Sequence, residues 1–279
     1  MDVASAAGQV PDMEPVVFIR ASLAEEDEKQ AAAKYFPIVE RRTAVPAGSL
    51  IIPRYAALPC NYELEQDVLA LGSQLINSHR QHVYVADLKN WYQDLERFTP
   101  TTWFSLDEVD KEDGPFVLKG ATNSKKQLWR THMHAANWEE VLKVHHRLSA
   151  DGMIGEQNIY IRKWMPLRKL CDPVVPGGPP VTEEYRFFIL DGKVLAGGFY
   201  WSQYLDDIDV EVSPDFVPEA LLVEVIRCVA PNVRFFVVDV ARSGTDPDVW
   251  YVIELNDGQQ SGLSAIEPDD LYRAMRDAL

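Results

Sequence analysis

The stretch RFFVVDVARSGTDPDVWYVIELNDGQQSGLS, residues 234–264, predicts two strands joined by a tight turn. Two runs within it, residues 235–241 and 250–255, are apolar and rich in β-branched and aromatic side chains, which predicts two buried strands. The run between them, RSGTDPD, consists of turn-forming residues. We therefore expect a hairpin.

This hairpin brings acidic side chains together. If the chain folds back about Asp246-Pro247, Asp239 lies opposite Glu254. Asn256 is two residues further on and leaves the same face as Glu254. Two opposed carboxylates repel each other, and their burial is unfavourable without positive charge nearby. Carboxylate and amide oxygens suit Mg²⁺, so the pattern indicates either a magnesium site or an exposed face on which both acids are solvated.

The composition is that of an ordinary soluble protein. The 279 residues are 47% hydrophobic and 25% charged, enough for a large core and two or three lobes. Three isolated cysteines, Cys60, Cys171 and Cys228, predict reduced thiols in a cytoplasm. No apolar run approaches the ~20 residues of a membrane helix. The first residues lack the basic start and apolar run of a signal peptide, so we expect a flexible tail over residues 1–14.

Charge is unevenly distributed along the chain. The net charge of -16, from 27 basic and 43 acidic residues, argues against general binding to nucleic acid or anionic membranes. Residues 111–170 differ, with 11 Lys or Arg against 6 Asp or Glu. A basic segment in an acidic protein predicts a confined anion site, such as one for nucleotide phosphates. For Lys143 and Arg147 we prefer a solvated helix face.

The first hundred residues predict a small α/β lobe, because strand and helix patterns alternate. Strands are expected at residues 15–20, within 45–53 and at 82–86, and helices at 23–35, 63–78 and 88–97. The lobe contains no glycine-rich dinucleotide fingerprint.

The rest of the chain predicts strands carrying charged residues. A strand at 116–120 contains Lys119, which is either half-exposed or a fixed cation for a phosphate, and a polar loop with Lys125 and Lys126 follows. A hairpin over residues 183–200 turns at Asp191-Gly192 and places Glu184 and Arg186 on one face. A strand is also expected from residue 158, and helices at 138–148, 214–229 and 268–279.

The order of these motifs, a lysine strand, a polar loop, K-W-M, E-x-R and finally D…E-x-N, resembles the ATP-grasp superfamily. The K-W-M of residues 163–165 resembles the adenine hinge of its D-alanine ligases, and Glu254-Leu-Asn256 resembles its magnesium motif. The runs PRYAALPCNYELEQDV, LINSHRQHVYVAD and TPTTW are similar to a bacterial and phage clade of the superfamily that is named for a conserved arginine and two lysines.

The resemblance implies an α/β (α+β) protein with the ATP-grasp fold, in which the nucleotide is held between two α+β subdomains. We expect an N-terminal lobe over residues 15–100 and an ATP-grasp domain over 101–279. Its central subdomain would cover about 115–165 and its C-terminal subdomain about 180–279.

The resemblance also implies roles for single residues. Lys119 would contact the α- and β-phosphates, and either Lys125 or Lys126 would close over the γ-phosphate. Arg186 would stabilise the charge on the transferred phosphoryl group, and Glu184 would bind the nucleotide or orient Arg186. The adenine would be held by Lys163, Trp164 and Met165, and Mg²⁺ by Asp239, Glu254 and Asn256. The substrate carboxylate would lie near Ser261, Gly262 and Ser264.

The implied activity uses ATP and Mg²⁺ to join a carboxylate, on a small molecule or a peptide, to an amine through an acyl phosphate, releasing ADP and phosphate. An ATP-binding assembly factor with a protein partner is the alternative, since related cell-division proteins help to assemble a translation initiation factor. A degenerate nucleotide sensor is a third. The chain departs from the pattern in two places: the loop after Lys119 lacks a run of glycines, and Arg162 stands where the ligases often have a hinge glutamate.

Overall fold

The computed structural model of the protein describes residues 13–20, 25–55 and 61–279. Cys60, Leu23 and most of the predicted tail lie outside these residues. None of the helices in these residues combines the length and the apolar character that a membrane span requires.

The N-terminal lobe is a parallel sheet with helices, as the alternating pattern predicted. Its strand order is β2-β1-β3-β4. In chain order the elements are β1 (Pro15–Ile19), α1 (Glu26–Tyr35), β2 (Ile38–Val39), β3 (Leu50–Arg54), α2 (Asn61–Ala70), β4 (Gln74–Leu75), α3 (His79–Ala86) and α4 (Leu88–Leu95).

Two predictions for this lobe were wrong. Residues 82–86 are helical within α3 rather than a strand, because Ser78 and Gln81 form a reciprocal capping box that starts a helix. The buried His82 side chain then reaches Asp257 at 2.7 Å, which holds the helix in place. The helix predicted over residues 63–78 ends at Ala70, because Gly72 adopts a φ of 68° and turns the chain into β4.

A second, antiparallel sheet forms the middle of the chain. Its strand order is β5-β8-β6-β7, and the elements are β5 (Thr102–Trp103), β6 (Phe116–Gly120), β7 (His134–Ala135), α5 (Trp138–Ser149) and β8 (Ile159–Lys163). The apolar face of α5 packs on this sheet, with Val144 and Leu148 against Phe116 and Ile161. A π-helical turn over Trp129–Met133 precedes β7.

The third sheet contains the predicted hairpin of residues 235–255. A short pair, β9 (Lys169–Cys171) and β10 (Val181–Thr182), leads into it. The sheet is antiparallel with the order β12-β11-β13-β14. Its elements are β11 (Glu184–Leu190), β12 (Lys193–Phe199), α6 (Glu219–Val229), β13 (Phe235–Arg242), β14 (Trp250–Asp257) and, after the sheet, α7 (Pro268–Ala278).

Both faces of the third sheet are buried, which explains the continuous apolar run at the start of β13. Phe236 and Val238 pack in a core with α6. Phe235 and Val237 pack on the other side with α7, α1 and the N-terminal strands. The turn between β11 and β12 lies at Asp191-Gly192, as predicted, and these residues have φ values of 47° and 79°.

One buried arginine ties the N-terminal lobe to the third sheet. Arg54, at the end of β3, is fully buried and pairs with Glu28 of α1. Its Nη1 donates to the carbonyl oxygen of Gly258 and its Nη2 to that of Ser261 at 2.8 Å. Glu28 also accepts a hydrogen bond of 2.8 Å from Tyr272 of α7. The loop after β14 is therefore held from the N-terminal lobe.

Candidate functional site

A cavity of about 640 Å³ is lined by both the second and the third sheet. Seven of the side chains that the sequence analysis assigned to a site line it: Lys119, Lys126, Lys163, Trp164, Met165, Glu184 and Glu254. They come from five separate parts of the chain, and the fold brings them together.

The register of the third sheet places three charged residues side by side. Asp239 pairs with Glu254 of β14 on one side, as the hairpin predicted, and with Arg186 of β11 on the other. Asn256 follows on β14, and its Nδ2 lies 3.4 Å from Asp239 Oδ2. The hairpin prediction is therefore confirmed in its register, and Asp239, Glu254 and Asn256 lie close together. Their role as metal ligands stays a prediction.

Cationic side chains neutralise the two carboxylates. Arg186 donates from Nε and Nη2 to the two carboxylate oxygens of Asp239, each at 2.8 Å. Lys119 donates to Glu254. Burial opposes ionisation of Glu254, but the Lys119 and Lys126 ammonium groups outweigh it and lower the pKa of Glu254 to about 2. Burial also opposes the charge on Arg186, yet Asp239 raises the pKa of its guanidinium.

The structure separates the two loop lysines. Lys126 lines the cavity and donates a hydrogen bond of 2.5 Å to the hydroxyl of Tyr200. Lys125 instead pairs with Asp151 at 2.9 Å. Burial lowers the pKa of Lys126, but Tyr200 and the carboxylate of Glu184 outweigh this effect and raise it.

Glu184 is a buried carboxyl with an unused oxygen. Its Oε2 is 3.4 Å from Thr182 Oγ1, while its Oε1 has no hydrogen-bond partner among the described residues. Burial raises the pKa of Glu184 to about 7, although Lys126 opposes the shift. A buried acceptor without a partner is costly, and such atoms are typical of sites that a ligand completes.

The K-W-M segment leaves β8 at the edge of the cavity. The backbone N–H of Lys163 donates to Thr101 at 2.8 Å and that of Trp164 to Pro115 at 2.9 Å. Within the described residues, the backbone N–H of Met165 makes no such bond. Of the three hinge amides, it is thus the one that can donate to a ligand.

Arg162, immediately before the hinge, is held by the protein. Its Nη1 donates to the carbonyl oxygen of Ile253 and its Nη2 to Thr99 Oγ1, each at 2.7 Å. Burial lowers the pKa of Arg162 to about 10, although Glu254 opposes the shift. Arg162 therefore links β8 to β14 where the ligases often have a glutamate.

The three residues assigned to a substrate carboxylate follow β14 but are not among those that line the cavity. Ser261 donates from its hydroxyl to the carbonyl oxygen of Asp257 at 2.8 Å. The carbonyl oxygen of Gly262 accepts from Arg186 Nη1 at 2.9 Å, which joins this loop to the site. Ser264 adopts a φ of 57°.

Several cavity residues had no role in the sequence analysis. Trp129 and His134 come from the π-helical turn and β7, and their rings lie 6.0 Å apart. Trp201 follows β12 and also lines the cavity. The clustering of aromatic residues at 129–134 and 199–201 is the only sequence signal that could have indicated them.

The predicted metal ligands fit Mg²⁺ by their chemistry. Asp239, Glu254 and Asn256 offer two carboxylates and an amide on adjacent strands. Within the described ranges, no cluster of three or more His, Cys, Asp or Glu suggests another metal. So small a set suits Mg²⁺, which keeps several waters and phosphate oxygens in its coordination shell.

Comparison with known proteins agrees with this architecture. Among solved structures, similar ones include D-alanine–D-alanine ligase from Bacillus anthracis complexed with ATP (TM-score 0.57, 14% identity, 94% of this chain and 92% of that chain). Another is the ATP-grasp ligase PsnB complexed with a minimal precursor (0.59, 13%, 96% and 100%). A third is a RimK domain ATP-grasp protein from Sphaerobacter thermophilus (0.57, 15%, 94% and 98%). At these identities the likeness shows the fold.

A search of curated proteins gave no match. A family model matches residues 106–275, which is more than half of the chain. It describes the ATP-grasp domain of family 3 in the clade that takes its name from one arginine and two lysines. The fold, the ordered motifs and this match agree, and the chain belongs to family 3 of that arginine-and-two-lysine clade in the ATP-grasp superfamily.

Proposed function

We propose that this protein is an ATP- and magnesium-dependent ligase that joins a carboxylate to an amine and releases ADP and phosphate. The observation that supports this most is the cavity between two sheets, which Lys119, Lys126 and Glu254 line. Directly beside Glu254 in the third sheet lies Asp239, which pairs with Arg186. Phosphoryl transfer needs such fixed cations and little else from the protein.

The nucleotide would lie along the cavity from the hinge to the third sheet. The N–H of Met165, which has no backbone partner within the described residues, would donate to the adenine beside Lys163 and Trp164. The unpartnered Oε1 of Glu184 would accept a hydrogen bond from a nucleotide hydroxyl.

The phosphates would take over the cations that now hold the carboxylates. Lys119 would turn from Glu254 to the α- and β-phosphates, and Lys126 would contact the γ-phosphate. Asp239, Glu254 and Asn256 would then hold Mg²⁺, which when bound would supply the positive charge that neutralises the phosphates.

The reaction would proceed in two transfers. A carboxylate oxygen of the substrate attacks the γ-phosphorus, the bond from that phosphorus to the β–γ bridging oxygen breaks, and ADP leaves. The amine nitrogen then attacks the acyl carbon, phosphate departs with its oxygen, and the nitrogen loses a proton as the amide forms. Arg186, drawn from Asp239 towards the phosphates, would stabilise the charge on the transferred group. Ser261, Gly262 and Ser264 would lie beside the substrate carboxylate.

PsnB, one of the similar structures, is complexed with a precursor peptide. By analogy, we include peptides among the candidate carboxylates for this chain. Because the reaction consumes ATP, we place it in the cytoplasm.

A magnesium-dependent ADP-release assay tests the proposal, with pools of amino acids, polyamines and short peptides as acceptors. We expect ADP and phosphate only with particular acceptor pairs, and loss of this activity in Glu254→Gln. Glu139→Gln, an exposed carboxylate on α5 that pairs with Lys143, is the matched control. Wild-type protein that neither binds MgATP nor releases ADP with any pool would overturn the proposal.

A second candidate, an ATP-binding assembly factor, is favoured by exposed apolar side chains on the N-terminal lobe. Tyr62 and Leu69 of α2 are 55% and 49% exposed, and Val83 of α3 is 42% exposed. Apolar surface of this kind is typical of protein-binding faces when it is contiguous. Tight MgATP binding without stimulated ADP release would favour this candidate over the ligase.

A further inference from the structure

Tyr200 stands between two cations of the site. It follows β12, and its backbone N–H donates to the carbonyl oxygen of Glu184 at 2.9 Å. The Nζ of Lys126 lies 4.2 Å from the centre of the Tyr200 ring and the guanidinium carbon of Arg186 lies 4.9 Å from it. The same Nζ donates to the Tyr200 hydroxyl at 2.5 Å.

The aromatic ring makes this arrangement favourable. Two cations in a partly buried site repel each other, but the face of an aromatic ring carries negative partial charge and attracts both. Trp201 adds a second ring 5.4 Å from Lys126 Nζ. Trp201 is itself buried, and its Nε1 donates to Thr182 Oγ1 at 3.3 Å, so this aromatic pair has a fixed position.

The contacts also separate the neighbouring lysines. Lys126 meets the hydroxyl and ring of Tyr200, whereas Lys125 is held by Asp151 at 2.9 Å. The residue that brings a loop lysine into the cavity is thus Tyr200 of the third sheet, more than seventy positions away in the chain.

We propose that Tyr200 is a positioning residue for phosphoryl transfer. It holds Lys126 of the loop and Arg186 of β11 at a fixed spacing, so that both face the phosphoryl group in transit. This rests on the proposed function, because that function supplies the phosphate on which the two cations act.

The test is a double-mutant cycle between Tyr200→Phe and Lys126→Ala, measured twice. The free energy of unfolding of the nucleotide-free protein reports the Tyr200–Lys126 contact, and the MgATP dissociation constant reports its use. Tyr200→Phe keeps the ring and loses the hydroxyl, whereas Tyr200→Leu loses both. Tyr204→Phe is the matched control, since Tyr204 stacks on Trp201 at 6.2 Å on the same segment.

We expect Tyr200→Phe to weaken MgATP binding about tenfold, the effect of one hydrogen bond to a charged group. Tyr200→Leu should weaken it further and lower kcat more than it raises KM, because Arg186 loses its support as well. The effects of Tyr200→Phe and Lys126→Ala should be non-additive in both measurements. Tyr204→Phe should bind MgATP as the wild type does.

Two results would overturn the proposal, and they differ in meaning. Additive effects, with wild-type MgATP affinity in Tyr200→Phe and weakened affinity in Lys126→Ala, would remove Tyr200 and leave the nucleotide site standing. Absence of MgATP binding by the wild type would remove the nucleotide site and Tyr200's role with it.

Discussion

At the scale of single residues, the site depends on carboxylates whose protonation differs widely. Glu254 is held ionised by lysines, with a pKa of about 2, while burial raises the pKa of Glu184 to about 7. The two side chains line the same cavity. Carboxyl groups whose pKa values are shifted in opposite directions within one cavity are typical of functional sites.

Glu184 makes the stability of the nucleotide-free protein depend on pH. Its pKa in the folded protein lies above the ordinary value of 4.5, so its contribution is fully present below about pH 4.5 and is lost as the pH rises through 7. The loss amounts to about 3 kcal/mol. Urea unfolding at pH 5 and pH 8 should therefore show a larger decline for the wild type than for Glu184→Gln. Equal declines in the two proteins would contradict the assignment.

Glu254 should be indispensable for magnesium-dependent nucleotide binding. Glu254→Gln keeps the shape of the side chain but removes its charge. Even changes to residues that only hydrogen-bond to a metal ligand lower metal affinity or activity about 10–100-fold. We expect MgATP binding to disappear in calorimetric titrations while the circular dichroism spectrum stays that of the wild type. Unchanged MgATP affinity would show that the metal lies elsewhere.

At the scale of elements, cationic side chains pair with the two carboxylates of the β13-β14 hairpin that we assign to a metal ion. Arg186 occupies Asp239 and Lys119 occupies Glu254, so Mg²⁺ alone must compete with two fixed cations. Phosphates would draw these cations away. We therefore expect Mg²⁺ to bind with the nucleotide and not before it.

Titration of the nucleotide-free protein with Mg²⁺ checks this expectation. The wild type should give no binding signal at millimolar Mg²⁺. Arg186→Met should give a binding signal, because this change leaves Asp239 buried without a counter-charge and Mg²⁺ can supply one. Strong Mg²⁺ binding by the wild type without ATP would contradict this order of events.

Local patterns predicted elements well where one physical signal dominated. The apolar runs of β13 and β14 predicted correctly that Asp239 lies opposite Glu254, and Asp191-Gly192 predicted the turn between β11 and β12. The run from His82 to Ala86 misled, because β-branched and aromatic residues there suggested a strand. The capping box of Ser78 and the long-range contact with Asp257 made it a helix.

The site was predictable only in part, because some of its contacts join residues that are far apart in the chain. Motif order assigned Lys119 and Glu254 to one site, and the fold brings these two side chains together as a pair. Nothing local could distinguish Lys125 from Lys126, because the contact that Lys126 makes beside the cavity is with Tyr200, which follows a strand of another sheet. The binding of a substrate carboxylate by Ser261, Gly262 and Ser264 stays a prediction, and so does the domain boundary near residue 100.

At the scale of the whole molecule, buried charge joins the lobes. Arg54 is fully buried against Glu28, and breaking such a pair on one side costs about 3–5 kcal/mol because the other charge is left uncompensated. Arg54→Met should lose about this much stability in urea unfolding. The double variant Arg54→Met/Glu28→Gln should lose less, since both charges are gone. Equal losses would show that the arginine acts through its carbonyl contacts alone.

The hydrogen bonds of Arg54 to the loop after β14 have a consequence for engineering. That loop accepts from Arg54 at Gly258 and Ser261, and from Arg186 at Gly262. An N-terminal lobe grafted from a relative to alter substrate scope must therefore bring a residue that meets these carbonyls. A chimera that keeps Arg54 and Glu28 also keeps the position of the loop whose Gly262 carbonyl accepts from Arg186. A chimera that replaces them loses the hydrogen bonds that hold this loop, and so changes the site along with the lobe.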